Sequence, residues 1–272
     1  MRAAPERLSS MARNAQVKVP EITIFFWIVK LLTTAMGEST SDFLVYHINP
    51  YVAVVAGSLG FGLSLALQFL VNRYVPWIYW LVIVMIGIFG TMVADVTHIV
   101  LGVPYFVSTT AFAVALVAVF AIWARSEGTL SIHSIYTTRR EIFYWAAIIA
   151  TFALGTAAGD MTATTLDLGY FDSTLLFGAL FAVAALFCAL VRGDLNRILL
   201  FWLVYVLTRP VGASCADWLG KSHQVGGMGY GDGTVSVALG LLIVFFVGYL
   251  TVSGIDRRRE PGELTGLEAA EG

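Results

Sequence analysis

Charge is what this chain has least of. Of 272 residues only 12% are Asp, Glu, Lys or Arg, against 58% hydrophobic, and the mean hydropathy is +0.81. A water-soluble globular domain carries about 25% charged residues, so that class is excluded. Cysteine is nearly absent. Cys188 and Cys215 form no CxxC, which excludes a disulfide framework and a thiolate metal cage and leaves ordinary small apolar packing. No Gly-rich phosphate loop joins a strand to a helix, so no ATP-hydrolysing module is expected. No Ser/His or Cys/His pair recurs and no His-rich motif lies inside an apolar run, so neither an enzyme nor a bound cofactor is expected, nor a nucleic-acid partner.

What is present is apolar length. Eight stretches can be drawn, at about 22–44, 51–71, 77–101, 105–124, 142–165, 173–191, 198–218 and 233–253. Each has the roughly 20 residues a helix needs to cross a hydrocarbon core of about 30 Å. Backbone groups in lipid must be satisfied within their own segment, so the runs read as helices. The expected fold is all-α: a polytopic membrane protein with eight transmembrane helices, its main partner the lipid bilayer. The N-terminal arm, 1–20, lacks the compact apolar core of a signal peptide, and the tail, 255–272, reads as a short disordered end.

The few charges are unevenly placed. Arg2, Arg7, Arg13, Lys18, Arg73, Arg125, Arg139, Arg140, Arg192, Arg197 and Arg257 to Arg259 fall in the termini and the even-numbered connections. The opposite connections hold one such residue, Lys221, beside Asp167, Asp172 and Asp232. The positive-inside rule then puts both termini in the cytoplasm.

An internal repeat organises the rest. Trp, then Gly ten residues on, then Asp five further, recurs as Trp27-Gly37-Asp42, Trp80-Gly90-Asp95, Trp145-Gly155-Asp160 and Trp202-Gly212-Asp217. An aromatic residue precedes each Trp: Phe26, Tyr79, Tyr144 and Phe201. The repeats span 21–72, 73–125, 139–192 and 196–254, each two helices long. Two crossings return the chain to its starting side, so all four repeats are expected to point the same way. Four tandem two-helix units, each with a signature Trp in its first helix, resemble a family of uncharacterised bacterial integral membrane proteins built on that plan. The resemblance covers about residues 20–255 and implies this architecture in a bacterial inner membrane. That family has no assigned biochemical role, so it implies no function.

The Trp set is expected to anchor helix ends at the membrane interface, and the Gly set to let helices approach closely. Fifteen residues at a 1.5 Å rise put each Asp roughly 22 Å beyond its Trp. Stepping back by four from each Asp gives the stripes Lys30-Thr34-Glu38-Asp42, Ile83-Gly87-Thr91-Asp95, Ile148-Phe152-Thr156-Asp160 and Tyr205-Arg209-Ala213-Asp217. Lys30, Glu38 and Arg209 all fall on this stripe, and charges within spans turn toward a bundle interior or a water-filled cavity.

Asp42, Asp95, Asp160, Asp217, Glu38, Thr91 and Thr156 are therefore the candidate ion-binding residues, the four aspartates the candidate metal ligands, and Arg209 and Lys30 the candidate counter-ions. Such oxygens suit hard cations of the Mg²⁺, Mn²⁺ or Ca²⁺ class, or protons. Pro210 is expected to kink its helix just inside Asp217. His47, His98 and His223 read as solvated loop residues. The expectation is a secondary transporter or exchanger for a cation, of the divalent metal class, through this intramembrane acidic site, with proton coupling. The alternative is a non-transporting scaffold or sensor subunit whose carboxylates are structural.

Overall fold

The computed structural model describes residues 17–191 and 193–257. Arg2, Arg7, Arg13, Arg192, Arg258 and Arg259, most of the N-terminal arm and the acidic end of the tail lie outside the described residues.

Among the described residues there are eight long helices: α1 (Ile24–His47), α2 (Pro50–Leu70), α3 (Pro76–Asp95), α4 (Tyr105–Glu127), α5 (Thr138–Asp160), α6 (Gly169–Leu190), α7 (Asp194–Gly220) and α8 (Asp232–Ser253). Their ends follow local chemistry. Thr23, Asn49 and Thr137 accept hydrogen bonds from backbone N–H groups of the first turns of α1, α2 and α5, and Pro50 and Pro76 occupy first helical positions. Gly128 and Gly254 end α4 and α8 in the left-handed conformation at φ 71° and 61°. α7 runs through Pro210 without interruption. Single π-helical turns, Val96–Val100 and Met161–Thr165, extend α3 and α5 directly after Asp95 and Asp160.

Seven of the eight helices are long and apolar enough to cross a membrane, and the chain is a multi-pass membrane protein. The exception is α1, which carries Lys30, Glu38 and Asp42 within its apolar run. All three side chains are buried against other helices, so the charges that lower its hydropathy do not face lipid.

The helices form two shells. α1, α3, α5 and α7 close a ring in which α1 packs on α3, α3 on α5, α5 on α7 and α7 back on α1. α2, α4, α6 and α8 lie outside it. About 22% or less of each outer span is buried, against 56% or more of the α3, α5 and α7 spans. The two helices of one repeat are not each other's main partners. Instead α2 covers α3, α4 covers α5 and α6 covers α7, while α8 closes the circle on α1. Each outer helix thus seals the inner helix of the next repeat, which ties every repeat to its neighbour.

The aromatic–Trp dipeptides follow the same cyclic rule. Phe26 meets Trp80 at 5.7 Å between ring centroids, Tyr79 meets Trp145 at 5.7 Å, Tyr144 meets Trp202 at 6.2 Å and Phe201 meets Trp27 at 5.7 Å. A Tyr79–Tyr144 hydroxyl contact of 2.5 Å joins the ring. This corrects the expectation of interfacial anchors: Trp80, Trp145 and Trp202 are at most 3% exposed and plug the core. Spacing along a helix fixes depth but not rotation about the axis, and these positions point inward.

The glycines obey the rule too. A methyl group on Gly37 would lie 2.7 Å from the Gly87 backbone, and one on Gly90 3.0 Å from Phe152 Cβ. On Gly155 it would strike the Arg209 side chain, and on Gly212 the Thr34 side chain. Gly87, Phe152, Arg209 and Thr34 are the same position in successive repeats, eight residues before the Asp. The glycine of each repeat therefore makes room for that residue of the next.

Candidate functional site

Three levels stack along the ring. The aromatic plug fills one end, two basic side chains lie in the middle, and carboxylates gather at the other end.

Arg209 comes from α7 and enters the space left by Gly155. Its guanidinium is fully buried. Nη1 donates to the Thr34 carbonyl at 3.0 Å, and Nη2 donates to Glu38 Oε2, to Thr91 Oγ1 and, at 2.7 Å, to Thr156 Oγ1. The Thr91 hydroxyl reaches Glu38 Oε2 at 3.2 Å and the Gly87 carbonyl at 2.9 Å. One side chain thus joins all four inner helices, through a planar donor fork that lysine lacks. Thr91 and Thr156, candidates for cation binding, here receive hydrogen bonds from Arg209.

Lys30 lies beside this network and is also fully buried. Its Nζ sits 4.1 Å from the Phe152 ring centroid and 4.4 Å from that of Tyr205, with no hydrogen-bond partner. The Phe152 and Tyr205 ring faces enclose the amine. Among the described residues it pairs with no carboxylate, and it does not reach toward a helix end. The Arg209 guanidinium lies over the same Phe152 ring at 5.3 Å.

Toward the carboxylate end, ligand oxygens of Glu38, Asp160 and Asp217 lie within 4.8 Å of one another. The group that meets is not the four repeat aspartates: Glu38 of α1 takes the place that Asp42 and Asp95 would fill. Asp42 instead accepts a charge-assisted hydrogen bond from Lys221 Nζ, which also approaches Asp217 Oδ1 at 3.7 Å. The carboxylates of Asp95, Asp160 and Asp217 accept no hydrogen bond among the described residues, and Asp217 is only 5% exposed. Among the described residues Glu38 Oε1 accepts no hydrogen bond, while Oε2 is held by Arg209 and Thr91.

Lys221 is a functional candidate that charge counting alone placed in a loop. The signal was available, since it stands four residues after Asp217 and so shares its helix face. Burial works against its ammonium, yet the Asp217 and Asp42 carboxylates outweigh that penalty and lift its pKa above the ordinary lysine value. It stays charged across the physiological range.

The histidines serve local geometry. His47 stacks on Phe43, His98 bonds the Val103 carbonyl and Ser108, and His223 bonds the Gly227 carbonyl. At the opposite end a second buried group appears that the repeat did not signal. Glu141, fully buried, accepts hydrogen bonds from Lys18 at 2.7 Å and Gln68 at 3.2 Å. A separate cavity of about 700 Å³ lies between α1, α6 and α7, lined by side chains such as Leu31, Phe181 and Cys188, and none of the repeat aspartates lines it.

The arrangement can hold a cation. Three carboxylates from three inner helices converge at one point inside an apolar bundle. Around a cation with metal–oxygen bonds of about 2.1–2.4 Å, neighbouring oxygens stand about 3.0–3.4 Å apart and opposite ones about 4.2–4.8 Å apart. Three oxygens within 4.8 Å of one another are close enough for one such ion to join them after small side-chain shifts. One of the three ligand helices, α5, continues into a π-turn directly after its ligand Asp160, a feature that concentrates at functional positions.

The chain matches a family described as a Repeat of Unknown Function (DUF347) four times, at residues 25–74, 78–129, 143–194 and 200–256. These matches cover most of the sequence, and the protein belongs to that repeat family. No curated protein and no solved structure matches it.

Proposed function

We propose that this protein is a secondary transporter or exchanger for a divalent cation of the Mg²⁺, Mn²⁺ or Ca²⁺ class, coupled to protons. The observation that carries the reading is the convergence of Glu38, Asp160 and Asp217 within 4.8 Å, with the Asp160 and Asp217 carboxylates accepting no hydrogen bond among the described residues and Lys221 3.7 Å from Asp217. Carboxylates inside a membrane bundle are costly and mark ion pathways. When no cation is bound, protons balance part of this charge, so cation entry releases protons.

In this reading all eight helices span a bacterial inner membrane, the four repeats run parallel, and both termini face the cytoplasm. The buried charges of α1 support its crossing, because they face the other inner helices. The basic residues at the aromatic end, among them Arg73, Arg139 and Arg140, support the orientation. The acidic site then opens outward, and the aromatic plug closes the cytoplasmic side. Passage requires the plug and the Arg209 network to part, with the interlocked repeats moving as units.

One observation favours a second reading. The hydrogen bonds of Arg209 to Glu38, Thr91, Thr156 and the Thr34 carbonyl join all four inner helices, which is what a purely structural staple would do. A scaffold or sensor subunit with structural carboxylates would need no more. Flux separates the two. Proteoliposomes holding a pH-sensitive dye are exposed to Mg²⁺, Mn²⁺, Ca²⁺, Zn²⁺ and Fe²⁺, with Asp42→Asn and Asp160→Asn as comparisons. Selective proton-coupled flux that both variants lose supports transport. Absence of flux with every ion, from variants as stable as the parent, selects the scaffold.

A further inference from the structure

We propose that Lys221 is a tethered competitor for the cation site, occupying it by an internal charge until the transported ion displaces it. The inference rests on the cation-site reading above and adds a gating residue to it.

The position is built rather than incidental. Lys221 is the residue that closes α7, its backbone N–H donating to the Asp217 carbonyl at 2.8 Å. The side chain therefore starts one helical turn from Asp217 and reaches across to α1, where Nζ bonds Asp42 and lies 5.4 Å from the Tyr46 ring centroid. The glycine-rich segment that follows folds back onto the same turn. Gly229 N–H donates to the Lys221 carbonyl at 2.8 Å, Tyr230 N–H to Leu219 at 3.1 Å and Gly231 N–H to Gly220 at 3.1 Å. At Gly227 an added methyl group would strike the Lys221 carbonyl, so this fold-back depends on glycine.

The ammonium touches one carboxylate of the three-acid group, Asp217, and one beside it, Asp42. A divalent ion bound by Glu38, Asp160 and Asp217 would face this fixed positive charge across a shared carboxylate. Like charges repel strongly at such range in a poorly screened site. Ion binding must therefore move Lys221 away, and its departure releases Asp42 as a further oxygen ligand.

Mn²⁺ titration of the purified full chain by calorimetry tests this. Lys221→Met should bind Mn²⁺ about tenfold or more tightly than the wild type, and Lys221→Arg should retain the wild-type affinity. A second measurement needs no variant. Acylation of Lys221 in the wild type, followed by mass spectrometry, should accelerate severalfold when Mn²⁺ is added, because displacement frees the amine. Unchanged or weaker binding by folded Lys221→Met, or acylation that Mn²⁺ slows or leaves unaltered, overturns the gate while the cation reading stands. Failure of both wild type and Lys221→Met to bind Mn²⁺ overturns the two together.

Discussion

Replacing Arg209 by Met should destabilise the bundle by about 3–5 kcal/mol, the cost of leaving a buried charge without its partner. The magnitude follows from the surroundings. Arg209 is fully buried and Glu38 is 3% exposed, so solvent screening gives little relief. Without the guanidinium, Glu38 Oε2 keeps only the Thr91 hydroxyl at 3.2 Å, while the Thr34 carbonyl and the Thr156 hydroxyl each lose a donor. Adding Glu38→Gln removes the stranded charge, and the double variant should recover most of the loss, to within about 1–2 kcal/mol of the wild type. Arg209→Lys keeps the charge but cannot span four acceptors, so it should fall between them. Denaturant unfolding in detergent micelles, followed by tryptophan fluorescence, reads these three variants, the Glu38→Gln single variant and the wild type. A loss below about 1 kcal/mol for Arg209→Met, or a double variant as unstable as the sum of the single ones, would refute the reasoning.

The remaining predictions use other parts of the ring. Gly155→Ala should destabilise by about 1–3 kcal/mol, because the new methyl meets the Arg209 side chain and the Pro210 ring; Gly178→Ala, with nothing within 4 Å, should be neutral or stabilising by up to about 1 kcal/mol in the same unfolding assay. Trp80→Ala should cost about 3–5 kcal/mol through the cavity it leaves, whereas Trp77→Ala, at a side chain 51% exposed, should cost far less; comparable losses would contradict the inward placement of the signature tryptophans. A double-mutant cycle of Tyr79→Leu and Trp145→Leu should give a coupling of about 0.5–1.5 kcal/mol, and a null coupling would count against the aromatic ring. Burial raises the Asp256 carboxyl pKa, against the opposing hydrogen bond from Tyr74. Its contribution to stability is therefore full below the ordinary Asp pKa near 4 and is lost as pH rises through the raised value. Melting temperature against pH should fall more steeply over that window in the wild type than in Asp256→Asn; parallel curves would contradict this.

Much of the fold was legible because apolar length and repeat spacing are one-dimensional signals. The eight runs fall within a few residues of the eight helices, and the Trp-Gly-Asp register located the inner four. Rotation and pairing were not legible. Nothing in the spacing told that Phe26 also meets Trp80 of the next repeat, or that α2 covers α3. Stepping back by four from each Asp did find the axial stripe, because residues four apart share a helix face. It therefore singled out Arg209, Glu38, Thr91 and Thr156, which the structure brings into direct contact. Equal depth was a poor guide to which carboxylates meet. Only repeat 1 carries a carboxylate four residues before its Asp, and it is this Glu38 that joins Asp160 and Asp217 while Asp42 turns to Lys221. Lys30 illustrates the same limit: its position on the stripe was clear, but its aromatic partners come from two other helices.

The central claim is that carboxylates of three separate repeats form one cation site. Electron paramagnetic resonance of Mn²⁺ added to the purified protein tests it most directly. The account predicts one tightly held Mn²⁺ per chain, lost separately in Glu38→Gln, Asp160→Asn and Asp217→Asn and retained in Asp172→Asn, which changes a carboxylate outside the group. Binding that survives all three substitutions, or no bound Mn²⁺ in a folded wild-type protein, would contradict it.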